Sequence, residues 1–393
     1  MPADRSYDIV LFGATGFTGG LTARYLAGAA PAGLRWALAG RNQAKLGALR
    51  DSLAETDPAL AELPLLAADV ADPESLRRVA ADSRVVVSTV GPYQRYGEPL
   101  VAACAAAGTD YADITGEPEF VDQMYLRHHE TAVRTGARLV HACGFDSVPH
   151  DLGAYFTVRQ LPRDVPLTVA GYVRADARFS GGTYQSALSA ISRQRQASEA
   201  ARARRAAEPR PEGRRARAVA GRPGKVAELG MWALPLPTLD PQVIRRSAAA
   251  LPVYGPDFRY SHYAAVKRLP TVAAGVVGLA GVAGLMRIPP ARTWLMGRVA
   301  SGHGPSAQRR ARSWFTVRFV GSGGGRRVVT EVSGGDPGYD ETAKMLAESA
   351  LCLALDALPS TAGQVTTAVA MGDALTYRLQ RAGLAFRVLE PAG

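Results

Sequence analysis

The chain has 393 residues, 47% hydrophobic, 21% charged and 7% aromatic, a length that suggests two domains with a sizeable core. The apolar fraction excludes a disordered chain, and three widely spaced cysteines (Cys104, Cys143, Cys352) exclude a disulfide scaffold or a thiolate site, so no metal is expected. The formal charge of +11 is local: residues 193–225 hold eleven Lys or Arg against three acids, and 287–312 hold six arginines and no acid.

No apolar secretory stretch precedes the first predicted strand, which points to a cytoplasmic protein. Tyr7–Phe12 is a short apolar run followed by GATGFTGG and an apolar-periodic stretch around 21–26; this predicts strand, glycine turn and helix. Further strands are predicted at 34–39, 65–68, 85–90, 110–114 and 138–142, with helices at 44–53, 75–81 and 98–107. Helices alternating with strands that are apolar on both faces predict an α/β fold, a Rossmann-type doubly wound parallel sheet over residues 1–145.

Beyond 146 the texture changes. Strands at 167–173, 314–320 and 327–332, the last two joined by GSGGG at 321–325, predict a second α+β domain over 146–335. Within it, 199–225 is rich in Arg, Ala, Pro and Gly and reads as a basic mobile loop. No aromatic residue interleaves the cations of 193–225, which argues against a nucleic-acid partner. The uncharged run 271–286 is short for a spanning helix. It suits a buried small-residue helix or, flanked by Lys267, Arg268, Arg287 and Arg292, a peripheral membrane contact. Residues 340–358 form the cleanest amphipathic helix, stopped by Pro359.

Gly13, Gly16 and Gly19 form G-x-x-G-x-x-G between the first strand and its helix. In that context the first glycine permits a tight turn, the second lets a pyrophosphate approach, and the third allows close packing. Ala14, Thr15, Phe17 and Thr18 complete this cofactor-facing turn. The second strand ends in Gly40-Arg41-Asn42, with Lys45 one helical turn on. Where NAD sites carry a carboxylate for the ribose, this chain offers cations, which points to a 2′-phosphate and to NADP(H). Asp69 and Val70 follow the third strand, toward adenine. Thr89, Val90, Gly91 and Pro92 follow the fourth, toward the nicotinamide ribose.

Tyr93, Tyr96, Glu117, His141, Asp146 and His150 all fall at or just past predicted strand ends. The cofactor carries hydride chemistry, so no nucleophile is required. Reducing a conjugated double bond does require a proton donor and a hydrogen bond to the carbonyl oxygen. Tyr93, Asp146 and His150 are the catalytic candidates.

Four segments carry a resemblance: VLFGATGFTGG at 10–20, VGPYQRYGEPLVAACAAAGTDYADITGE at 90–117, CGFDSVPHDLG at 143–153 and GGDPGYDETAKMLAESALCLALD at 334–356. Together they resemble the saccharopine dehydrogenase-like oxidoreductases, and within them the trans-acting enoyl reductases of long-chain lipid and polyketide assembly. The resemblance implies an NADP-binding Rossmann domain, completed by residues 336–393 returning onto it, and a second α/β domain. It also implies an α,β-unsaturated acyl substrate held on a carrier protein, which the basic segments could steer electrostatically. Two other readings stay open: an NADP-dependent imine or ketone reductase, and a cofactor-bound scaffold on membranes or lipid droplets. Oligomeric state is not legible.

Overall fold

The computed structural model describes residues 5–176, 193–226, 229–236, 238–267 and 304–390, with isolated positions at 278, 281, 284 and 285. Strands β1 (Tyr7–Phe12), β2 (Trp36–Gly40), β3 (Leu65–Ala67), β4 (Ser83–Ser88), β5 (Asp110–Asp113) and β6 (Arg138–Val140) belong to a first sheet. Strands β7 (Leu167–Asp176), β8 (Arg215–Ala218), β9 (Gly224–Val226), β10 (Met231–Pro235), β11 (Asp257–Val266), β12 (Trp314–Gly323) and β13 (Arg326–Gly334) belong to a second. The chain then returns: β14 (Gly363–Val365) extends the first sheet and β15 (Ala385–Glu390) extends the second.

The first sheet has seven strands in the order β14-β6-β5-β4-β1-β2-β3, all parallel. Because side chains alternate across a strand, Ile9 and Leu11 of β1 enter one core and Val10 and Phe12 the other, all at most 3% exposed. The order reverses between β1 and β4, so the crevice above their carboxyl ends is the expected ligand position.

The second sheet has eight strands in the order β15-β13-β12-β7-β11-β10-β9, with β8 also on β11. It is mixed: β7–β11 and β8–β11 run parallel, while β12–β13, β7–β12, β10–β11 and β13–β15 run antiparallel. Gly324 and Gly325, both at positive φ, make the two-residue turn between β12 and β13.

The helix Val148–Val158 joins the two layers, packing on β7, β12 and β13 and on the helix Asp240–Ala250. Its buried Asp151 fixes that junction, accepting hydrogen bonds from Ser247 Oγ (2.5 Å), Thr367 Oγ1 (2.8 Å) and the Ala368 amide (2.8 Å). The helix Asp340–Leu355 lies on the helix Phe17–Ala29 and on β4 and β5, with nearly every residue of its core face buried.

Two expectations are corrected. The segment 199–225 is not a mobile loop: Gln194–Ala207 is a helix, β8 and β9 follow, and Arg204 is 4% exposed between Asp122 and Glu208. A poly-cationic stretch orders here because carboxylates on the helix Pro118–Thr135 and after Ala207 neutralise its buried face. The tail 336–393 does not wholly complete the first domain, because β15 pairs with β13 across the second sheet. The apolar run 271–286 falls outside the described residues apart from the isolated positions. Among the described residues no helix is long and apolar enough to cross a membrane.

Candidate cofactor and catalytic site

The glycine turn is shaped by what a side chain at each position would meet. Gly13 sits at φ 86°, and a Cβ there would fall 2.5 Å from Val90 Cγ2. At Gly19 a Cβ would fall 2.3 Å from the Gly13 carbonyl oxygen. Gly16 differs, since its Cβ would have only the Gly13 oxygen near it, at 3.4 Å. The first and third glycines are therefore closed by protein, and the second faces open space where a pyrophosphate can approach. The helix Phe17–Ala29 has no side-chain cap at Gly16 and no acid in its first turn, so its leading N–H groups are unclaimed by side chains. Thr89 Oγ1 donates to the Gly13 carbonyl (3.0 Å) and ties the turn to the end of β4. Ala14 is buried beneath the turn and Thr15 is exposed, while Phe17 and Thr18 are half-buried. Phe17 meets the Tyr339 ring edge-on at 4.9 Å.

At the end of β2, Arg41 and Lys45 are exposed and have no ion pair among the described residues. Asn42 is committed locally: its Oδ1 accepts the Lys45 amide (2.9 Å) and caps the helix Gln43–Ala54. Asp69 Oδ1 accepts the Ala71 amide (3.0 Å), and half-buried Val70 packs on the core beneath. This edge has the cations and the open turn that a 2′-phosphorylated dinucleotide needs.

The loop after β4 is held from below. Glu117 accepts the amides of Tyr93 (3.0 Å) and Gln94 (2.9 Å), fixing Thr89, Val90, Gly91 and Pro92 at the crevice. Tyr93 points inward at 5% exposure; its hydroxyl donates to the Ser88 carbonyl (2.9 Å) and accepts from the Ile114 amide (3.4 Å). Burial raises its pKa well above the ordinary tyrosine value, with Asp113 adding to the shift. That geometry makes Tyr93 a positioning residue.

Asp146 is placed differently. It follows β6, and its Oδ2 approaches the backbone of Gly116, where a Cβ would fall 2.7 Å away. It has no hydrogen-bond partner among the described residues, and burial together with the charge of Asp240 raises its pKa to about 7. Behind it, His150 Nε2 and His262 Nε2 each lie 3.6 Å from a different oxygen of Asp240. Tyr260 Oη lies 2.8 Å from His262 Nδ1 and fixes that ring. Burial lowers the pKa of His150 to about 3, and that of His262 to about 4 against the pull of Asp240. Both imidazoles are neutral at physiological pH. The ligand-type atoms of His150, Asp240 and His262 lie within 4.8 Å of one another, a donor set of the kind that could also hold a cation.

Residues 9–140 match the saccharopine dehydrogenase NADP binding domain family. Over 98% of this chain and 98% of its own length, a Mycobacterium bovis protein named trans-acting enoyl reductase is 38% identical. One from Mycobacterium ulcerans is 37% identical over 97% of each chain. A Mycobacterium tuberculosis protein that bears the same name provisionally is 42% identical over 98% of this chain and 97% of its own. The chain belongs to the saccharopine dehydrogenase-like enoyl reductases. Saccharopine dehydrogenase (L-Glu forming) from Saccharomyces cerevisiae shares the fold, with a TM-score of 0.56 and 13% identity over 97% of this chain and 99% of that one. This family member is thus an NADP-dependent oxidoreductase.

Within this reductase the structure gathers the glycine turn, Arg41, Lys45 and the 89–92 loop along one edge, and sets Asp146 within the electrostatic reach of Asp240, the carboxylate that His150 faces. It separates Tyr93 from them by turning its hydroxyl into the core. Sequence reasoning missed Asp240 and His262, which come from the second domain. The only local signal was Asp240-Pro241 opening a helix and His262 in an alternating strand.

Proposed function

We propose that this protein reduces the α,β double bond of an acyl thioester, with Asp146 as the proton donor. The observation that carries the assignment is a half-buried carboxyl, free of hydrogen-bond partners among the described residues and half-protonated near neutrality, where β5 and β6 end. NADPH supplies the hydride when bound, and the Gly16 opening and Arg41 orient it. The hydride adds to the β-carbon, and Asp146 gives its proton to the α-carbon, so the product gains both hydrogens and the carboxylate is left to be reprotonated from water. The neutral imidazoles of His150 and His262, each facing an oxygen of Asp240, add no positive charge to the crevice.

The names of the relatives support an enoyl substrate delivered in trans. In this reading the acyl chain arrives on a carrier protein, and the segment 271–286 makes a peripheral membrane contact that liposome flotation, with and without the segment, would detect. The test of the chemistry is incubation with 4-deuterated NADPH (both stereoisomers) and long-chain enoyl thioesters, read by mass spectrometry. Deuterium at the β-carbon of the saturated product is expected. Deuterium transfer only to an imine or ketone substrate would overturn the reading.

A further inference from the structure

A cavity of about 790 Å³ lies between the helices Pro118–Thr135, Gln194–Ala207 and Asp240–Ala250, with no residue of the glycine turn in its wall. Its walls carry far more positive charge than they neutralise. Arg204, Arg245 and Arg246 share only two carboxylates, Asp122 and Glu208. Burial would raise Glu208, yet Arg204, Arg246 and Arg245 hold it down at about 2, so it is ionised and fully used. Arg214 is spent on the carbonyls of Ala248, Leu251 and Gly255, and Arg217 on Asp257. Arg205, Arg210 and Arg215 also line the cavity, exposed and with no side-chain partner among the described residues.

One buried polar atom is left over as well. His141 lines the cavity at 6% exposure; its Nδ1 bonds Asp113 Oδ2 (2.7 Å), while its Nε2 has no partner among the described residues. Guanidiniums in excess of the carboxylates around them favour an anionic ligand, and their forks match phosphate oxygens. The Tyr125 and His129 rings stack at 4.4 Å on the same wall, and the Arg204 guanidinium lies 4.2 Å over Tyr125. His141, Ala142 and Leu239 line the cavity, and the next residues in the chain are the Cys143–Asp146 turn and Asp240.

We infer that this cavity holds the phosphate-bearing handle of the substrate thioester, while the acyl end reaches Asp146. The inference rests on the acyl-thioester reading above, but its test does not. Phosphopantetheine occurs both in coenzyme A and on carrier proteins; the cavity reads the phosphate that the two share.

Binding is measured calorimetrically on the full chain saturated with NADPH, so that a nucleotide probe cannot occupy the cofactor site. Coenzyme A is expected to bind, pantetheine to bind at least tenfold more weakly, and inorganic pyrophosphate to compete. Raising salt from 0.05 to 0.5 M should weaken coenzyme A but not pantetheine. The double variant Arg210→Ala/Arg215→Ala, at two exposed positions, should lose about tenfold in coenzyme A affinity and leave NADPH binding unchanged. In turnover it should raise KM for enoyl-coenzyme A or for the enoyl-carrier thioester with kcat unchanged; an effect on one alone identifies the source. Pantetheine binding as tightly as coenzyme A, or equal affinity in the double variant, would overturn the inference. Coenzyme A binding without reduction of any enoyl thioester would leave the handle site standing and refute the function instead.

Discussion

The glycine turn draws all its critical positions from one strand–helix junction, whereas the crevice proposed for proton transfer draws on the loop that carries Asp146, two helices that carry His150 and Asp240, and the strand that carries His262. The same contrast appears between two neighbouring aspartates. Asp151 accepts three hydrogen bonds and locks the interface between layers. Asp146, five residues earlier, accepts none among the described residues and is held near its protonation midpoint at neutral pH. A carboxyl whose hydrogen bonds are satisfied serves stability; one left unsatisfied in a crevice retains its proton at a cost to stability, which is the state the proposed proton donor needs.

The largest effects should separate the glycines from one another. Gly16→Val fills the open face of the turn, so NADPH binding should vanish in a fluorescence titration while the thermal melt stays close to the wild type. Gly19→Val forces a contact with the Gly13 carbonyl and should cost the fold itself, seen as loss of the cooperative melt. If both variants behaved alike, the distinction between a ligand-facing and a packing glycine would fail.

Asp146→Asn should lower kcat by about 10²- to 10⁴-fold, the range of a lost general acid, with NADPH affinity unchanged. Its stability should move the other way. The folded-state pKa of Asp146 is raised from 3.8 to about 7, so the native state holds the extra proton and wild-type stability falls as pH rises through that window. The variant lacks that loss and should melt higher than wild type at pH 8. Asp151→Asn, by contrast, should melt lower at every pH tested.

Arg41→Ala removes a charged contact to the 2′-phosphate, worth about 1.5–3 kcal/mol, and should weaken NADPH by roughly ten- to over a hundredfold while sparing NADH. Equal losses for both would reject the cofactor assignment. The smallest effect is expected at Tyr93→Phe, which loses a hydrogen bond to Ser88: about 1 kcal/mol of stability and only a few-fold in kcat.

The parallel sheet was legible because near-continuous apolar strands, such as 85–90, and the glycine turn are local signals. The cofactor edge followed for the same reason: Arg41 and Lys45 stand where a carboxylate would otherwise be. The structure reassigned Tyr93 because burial of its hydroxyl depends on Ser88 and Ile114 folding around it, which no spacing encodes. The segment 199–225 reads as a loop because it is rich in Arg, Ala, Pro and Gly and has few large apolar residues, yet part of it continues the helix Gln194–Ala207. One partner of Arg204, Asp122, is brought in only when the helix Pro118–Thr135 lies alongside, while Glu208 stands four residues past Arg204 in the same segment. Asp240 and His262 escaped notice because each is unremarkable in its own segment and gains meaning only from the other and from His150.

The division of labour between edge and crevice is tested most directly by the pH dependence of kcat for enoyl reduction in wild type and Asp146→Asn. Wild-type kcat should fall as pH rises through about 7, the value held by Asp146, and the residual rate of the variant should be flat across that range. An alkaline fall of the same midpoint in Asp146→Asn would show that another group donates the proton and would contradict the assignment.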